Sequence, residues 1–171
     1  MNPIWSRCGT RCENLNPPQD RIRRADWRRP SGSGLGNQPE RAHGGWCPKG
    51  RKAEDGAIPP QYELTETPSA DYPARTERNV LASDGTVIIS IYAALGSRGS
   101  ALTQRLAEQH HKPRIHIHSG ELGPGETLRS FVTMHNIQAL NVAGPRASSE
   151  PRIAQFVHSV LREAFESGNF D

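Results

Sequence analysis

The chain has 171 residues, enough for one domain with a proper core, and no apolar run long enough for a signal-peptide core or a membrane span. Its net charge of +3 is unevenly placed: residues 1–42 hold eight Arg, no Lys and four acidic residues, a net of +4, while the remainder is net −1. The folded part therefore carries no basic stripe, and nucleic acid is not an expected partner. The Arg-rich, Ser-containing start resembles a transit peptide only loosely, because it also contains Asp and Glu.

From His43 the punctuation is regular. "GGWCP" is a short apolar piece stopped by Pro48, "KGRKAEDG" a charged, turn-rich loop, and "IPPQYELTETPS" an extended segment whose prolines exclude helix. Ser69 or Asp71 caps a helix across "ADYPARTERNVLAS", with Tyr72, Arg75, Thr76 and Asn79 along one side. Asp84-Gly85 is a turn, and "TVIISIY" is a continuous β-branched run, the pattern of a strand buried in a parallel sheet. "ALTQRLAEQHH" is a helix with Leu102, Leu106 and Ala107 on its apolar stripe, followed by the strand "RIHIH". Pro124 opens the helix "GPGETLRSFVTMHN", "QALNVAG" is a strand, and "PRASSEPRIAQFVHSVLREAFESG" is a last helix with Gly168 past its end. Alternation of this kind predicts an α/β, Rossmann-like domain over residues 43–171, a parallel sheet covered by helices on both faces.

Ligands in such sheets collect beyond the carboxyl ends of the strands. Two loops have the right composition. In "ISIYAALGSRGSALT", Gly96 and Gly99 would let backbone N–H groups approach an anion, and Ser100 and Thr103 add hydroxyls. In "LNVAGPRASS", Gly144 and Pro145 precede Arg146, a fork suited to phosphate or carboxylate, and Ser148. His116 and His118 alternate on a strand and share one face, opposite Ile115 and Ile117, and His110 and His111 end a helix. No carboxylate or thiolate completes a metal-ligand spacing around them. Glu54, Asp55 and Glu66 read as solvated loop charges that could also serve as acid or base. Cys8, Cys12 and Cys47 are an odd number without a Cys-x-x-Cys pair, which fits free thiols in a reducing cytoplasm. No Ser-His-Asp order, nucleophile elbow or Walker loop is present. The expected ligand is a phosphorylated small molecule.

The strings "HGGWCPKGRKAEDG" (His43–Gly56), "YELTETPSADYPARTERNV" (Tyr62–Val80), "SDGTVIIS" (Ser83–Ser90) and "LNVAGPR" (Leu140–Arg146) resemble the putative molybdenum carrier family. That family is also described as circularly permuted relatives of YpsA, in a wider group with the lysine-decarboxylase-like LOG proteins. The resemblance runs from Gly44 to about Leu161. It implies a Rossmann-like cytoplasmic domain that binds a nucleotide-like ligand, either a nucleotide or the molybdenum cofactor, a pterin carrying a phosphate. Gly96, Gly99, Ser100, Thr103, Gly144, Pro145 and Arg146 are then expected around the ligand, with Lys49, Arg51 and Lys52 as further anion contacts. The family also implies self-association into a homo-oligomer, on which composition is silent. "GSRGSALTQRLAE" stands where LOG-type phosphoribohydrolases carry their Gly-Gly-Thr loop. Two alternatives stay open: a nucleotide-processing enzyme acting on a base or ribosyl group, with Glu66 or Asp84 as acid or base, and a degenerate product that binds nothing.

The largest departure from the family is at the front. Members open with a strand, a "SGGQTGVDRAALDWA" glycine loop and helix, and then "HGGWCPKG"; here "IRRADWRRPSGSGLGNQPERA" holds that place. Read one base later, the codons of Ile22 to Gly36 permit S-G-G-Q-T-G-V-D-R-A-A-L-D-W-A, in register. Trp27 into Arg28 permits glycine, Ala25 into Asp26 permits glutamine, and Leu35 into Gly36 permits tryptophan. The expected cause is a compensating pair of frame changes, either real mutations or sequencing errors. Residues 1–42 are then expected to be irregular or poorly packed, and ligand binding weak or absent. The lost strand and helix would cost many kcal/mol against a usual margin of ~5–15 kcal/mol.

Overall fold

The computed structural model describes residues 10–12, 44–53, 56–60, 62 and 64–166. Its main sheet has the strand order β1-β8-β6-β7. The strands are β1 (Thr10–Cys12), β6 (Gly85–Ser90), β7 (Arg114–His118) and β8 (Leu140–Ala143). β6 lies at the centre, parallel to both β7 and β8, and all six of its residues are buried. That is where the unbroken β-branched run "TVIIS" belongs, because a central parallel strand is covered on both faces. The helices α1 (Tyr72–Leu81), α2 (Arg98–Gln109), α3 (Pro124–Met134) and α4 (Ile153–Glu166) alternate with these strands. The result is the expected α/β, Rossmann-like arrangement.

The sheet has two unlike faces. Val87, Ile89, Ile117, Leu140 and Val142 pack with Leu128, Phe131 and Val132 of α3 and with Ile153, Val157, Val160 and Ala164 of α4 in one apolar core. α3 and α4 approach closely at Gly125, where an added Cβ would lie 2.4 Å from the side chain of Glu163. Arg129 of α3 then donates to the backbone oxygens of Ala164 and Glu163, satisfying carbonyls near the end of α4. The opposite parity of residues, Thr86, Ile88, Ser90, His116, His118, Asn141 and Ala143, forms the other face. On that side α1 and α2 meet through Val80, Leu102, Leu106 and Ala107.

Before α1 the chain builds two small units. β2 (Gly45–Cys47) pairs in parallel with β5 (Leu64–Glu66), and β3 (Lys52–Ala53) with β4 (Gly56–Ala57) in an antiparallel hairpin. Asn79 of α1 serves as a substitute strand for β2: its Oδ1 accepts from Trp46 N at 2.8 Å and its Nδ2 donates to Trp46 O at 3.2 Å. Arg78 lies over the Trp46 ring, 4.7 Å from its centroid.

Three boundaries differ from the sequence reading. Asp71 holds the N-cap position of α1 without capping it, because its carboxylate accepts from Ser69 Oγ instead. α2 starts at Arg98 behind Ser97, whose Oγ accepts from Ser100 N at 3.0 Å. α4 starts only at Ile153, since residues 147–152 form turns. Gly168 lies outside the described residues. Of residues 1–42, Thr10–Cys12 form a strand antiparallel to β8, with Thr10 opposite Val142. The rest of that segment, including Ile22–Gly36 and Cys8, lies outside the described residues.

Candidate functional site

Because β6, β7 and β8 are parallel, the loops that leave them emerge on one edge. Ile91 ties the three loops together. Its N–H donates to Glu150 Oε2 of the loop after β8 at 2.6 Å, and its carbonyl accepts from Ser119 Oγ of the loop after β7 at 2.8 Å. Glu150 is 6% exposed, so a buried carboxylate is spent on fixing this junction. Just beyond it Tyr92 is 63% exposed and Leu122, on the β7 loop, 97% exposed. Neither was among the expected site residues.

Gly144 sits where β8 leaves the sheet, and an added Cβ would lie 2.6 Å from Ile89 O, so glycine is required by the approach of two backbones. Pro145 is buried behind it and Arg146 is exposed. The Arg146 guanidinium lies 5.1 Å from the centroid of the Tyr72 ring, at the start of α1. Arg75, one turn further along, lies 5.7 Å from the same centroid. α1 follows β5 and leads into β6, so its N-terminus points to the same edge as the loops. Arg146 is thus held by stacking at a helix start, although the helix is α1 and not α4.

The other expected residues divide. Gly96 has open space where a Cβ would stand, and Gly99 touches only Ser97 Oγ, at 4.0 Å. Ser100 and Thr103 are buried; Ser97 Oγ donates to Ser100 Oγ, and the Thr103 hydroxyl donates to Gly99 O at 2.9 Å. Lys49 and Lys52 are exposed. Arg51, at φ 51°, spends its guanidinium on its own loop, donating to the backbone oxygens of Ile58, Pro59, Tyr62 and Leu64. Glu66 Oε2 accepts from Gly50 N at 2.5 Å, closing the turn that carries Lys49. Asp84 lies at the amino end of β6, where it accepts from Gln138 N at 2.9 Å and Ala139 N at 2.7 Å. It shares no edge with Arg146. Glu54 and Asp55 are outside the described residues.

The histidines lie under the same edge. Ser90 Oγ is 2.7 Å from Tyr92 O and 2.6 Å from His116 Nε2. A carbonyl can only accept, so the single hydroxyl proton goes to Tyr92 O and His116 donates from Nε2. Ser90 therefore has no base to activate it. Burial holds the His116 pKa below its ordinary value, and His118 pushes it the same way against Glu121 and Glu150. His118 Nδ1 accepts from Gly120 N at 3.2 Å, which leaves its Nε2–H facing Glu121 Oε1 at 3.5 Å. Burial likewise pushes the free Cys47 thiol up, outweighing Arg51 and Arg75 nearby. Among the described residues no group of three or more His, Cys, Asp and Glu could hold a metal ion, and no helix is long and apolar enough to cross a membrane.

A Rossmann-like sheet with its polar groups gathered at the carboxyl edge defines the class of protein. Comparison with known proteins sharpens it. Residues 35–165 match the model of the circularly permutated YpsA SLOG family. A crystal structure of a putative molybdenum carrier protein from Syntrophus aciditrophicus SB is similar, with 48% identity and a TM-score of 0.66, over 71% of this chain and 77% of that one. No curated protein matches the chain. The chain belongs to the circularly permutated YpsA SLOG family, the kinship that the strings from His43 to Arg146 suggest.

Proposed function

We propose that this chain is a binding protein for a nucleotide-like, phosphorylated small molecule, a nucleotide or the phosphate-bearing molybdenum cofactor, seated at the carboxyl edge. The observation that carries this reading is Arg146, an exposed guanidinium fixed on Tyr72 beside a backbone-tight Gly144. An ordered cation at a helix start is suited to an anionic group. The open space at Gly96 leaves room for backbone contact, while Lys49 and Lys52 add exposed charge. These donors fit the phosphate of such a cofactor. They offer its metal no ligand set, so molybdenum would travel through its organic ligand.

Carriage is favoured over hydrolysis by the state of each acid and nucleophile. Ser90 is not activated, Glu66 is tied to Gly50 N, and Asp84 stands at the other end of the sheet. The reading also includes the frame change across Ile22–Gly36 and a cytoplasmic setting. The replaced loop would have supplied the main phosphate cradle, so this chain binds more weakly than one carrying "SGGQTGVDRAALDWA" in its place. Thermal shift with AMP and with the pterin cofactor on both proteins tests this. Equal stabilisation of the two would remove the frame argument, and free base released from AMP would replace the carrier by the enzyme. Codons unable to yield the Gly-Gly-Gln-Thr-Gly string would also refute the frame change.

A further inference from the structure

The chain has three tyrosines, and two of them have partners. Tyr62 packs against the small cluster of Cys47, Ala53 and Ile58, and the Tyr72 ring carries Arg146. Tyr92 differs. Among the described residues its ring stacks on no other ring or guanidinium, and its hydroxyl has no hydrogen-bond partner. An exposed aromatic side chain is ordinary on a protein surface. One on a fixed backbone is less so, and three hydrogen bonds fix the backbone beneath Tyr92. Ser90 Oγ donates to Tyr92 O at 2.7 Å, Glu150 Oε2 accepts from Ile91 N at 2.6 Å, and Ser119 Oγ donates to Ile91 O at 2.8 Å. The Ile91 side chain packs against the apolar core. Burying the Glu150 carboxylate costs free energy, and what it secures is the seat of Tyr92. Ala93 and Ala94 follow, both exposed, so the next two positions carry nothing larger than a methyl group.

We propose that Tyr92 is the stacking platform for a planar heteroaromatic ring of the ligand, the part for which Arg146 offers no contact beyond the anion. β6 and β8 are neighbours, with Ile88 opposite Ala143, so Tyr92 and Arg146 leave adjacent strands ~4.8 Å apart, a few residues beyond one paired position. A ligand with a phosphate at one end and a flat ring at the other reaches both. Tyrosine suits the task because it offers a large rigid face at little cost in side-chain entropy. Stacking on it takes any flat ring. Two sources share that chemistry, the base of a nucleotide and a pterin. The platform rests on the reading of the carboxyl edge as a ligand site, but it needs no residue from Ile22 to Gly36.

The test titrates the full chain by calorimetry with AMP, neopterin monophosphate and ribose phosphate, the last an anion without an aromatic ring. At least one of the two ring-bearing ligands binds about tenfold tighter than ribose phosphate. Tyr92→Ala, which leaves the backbone hydrogen bonds of the seat in place, brings that ligand down to the level of ribose phosphate and leaves ribose phosphate unchanged. Tyr92→Trp matches or exceeds the parent. The ring that loses more in Tyr92→Ala identifies the source. Ring-bearing ligands held by Tyr92→Ala as tightly as by the parent would overturn the platform and leave the ligand site standing. A loss shared by ribose phosphate would overturn it as well, making Tyr92 a structural support. Equal affinity of the parent for all three would end ring recognition and reduce the site to one for the phosphate. Binding of none of the three would overturn both the platform and the carrier reading.

Discussion

The two faces of the main sheet are built from the same three parallel strands, yet they differ in kind. Toward α3 and α4 the strands pack into a continuous apolar core, from Val87 and Ile89 to Val160 and Ala164. Toward α1 and α2 the same strands bury Thr86, Ser90 and Asn141 around Ile88, and place His116 and His118 beside them. Burying polar groups costs free energy unless each finds a partner. Asn141 Nδ2 donates to Thr86 Oγ1 at 3.2 Å, but its Oδ1 has no donor among the described residues. One face is organised for folding; the other tolerates a folding cost at Asn141, near the amino end of the sheet and away from the edge where Arg146 and Tyr92 emerge.

The largest effect expected lies on the apolar face. Leu128 is fully buried at the α3 contact with the sheet, and Leu128→Ala should cost about 2–5 kcal/mol, measured by urea unfolding. A cost under about 1 kcal/mol would mean that this face is not the main source of stability. Gly144→Ala comes next. The new methyl must push against the backbone oxygen of Ile89, at a cost of roughly 1–3 kcal/mol, and it moves Arg146 with it. The loss of stability should be accompanied by weaker phosphate binding, and stability lost without affinity would separate the turn from the site.

The polar face gives a sharper discrimination. Thr86→Val alone leaves Asn141 Nδ2 without its acceptor and should cost about 1–3 kcal/mol. Thr86→Val with Asn141→Leu removes both partners, and stability should return to within about 1 kcal/mol of the parent or exceed it. If the double variant is the least stable of the three, this face is structural after all and the contrast fails.

Much of this contrast was legible in the sequence, and each miss has its own physical cause. β6 was readable because a β-branched run has one use in an α/β protein, and the alternation in "RIHIH" placed Ile117 in the core and the histidines opposite. The start of α4 was not readable: Ser148, Ser149 and Glu150 look like a capping sequence, but Glu150 is drawn to Ile91 N by a tertiary contact that no local pattern contains. Arg51 and Thr103 looked like donors for a ligand, and their own loop and helix carbonyls took them. The Arg146–Tyr72 contact was equally non-local. A hint did exist, since Tyr72, Arg75, Thr76 and Asn79 make one polar side of α1, and Asn79 and Tyr72 each turned out to hold something distant.

The smallest effect is a pH dependence, and its sign separates the faces once more. Among the described strand residues the histidines, His116 and His118, lie on the polar face, and burial holds the pKa of His116 below its ordinary value of 6.5. The folded protein therefore binds this proton less readily than the unfolded chain. Stability from His116 is complete above about pH 6.5 and declines as pH falls from there through the lower folded value. His118 lowers the His116 value further, and Glu121 and Glu150 restrain the shift, so the slope is modest. Urea unfolding between about pH 5 and 8 should show stability rising with pH in the parent and a flatter profile in His116→Asn. Asparagine can still donate to Ser90 Oγ, so the difference reports the charge and not the lost hydrogen bond. Profiles of equal slope would place His116 in contact with water in the folded state, and the polar face would then lose its claim to be buried where it meets the carboxyl edge.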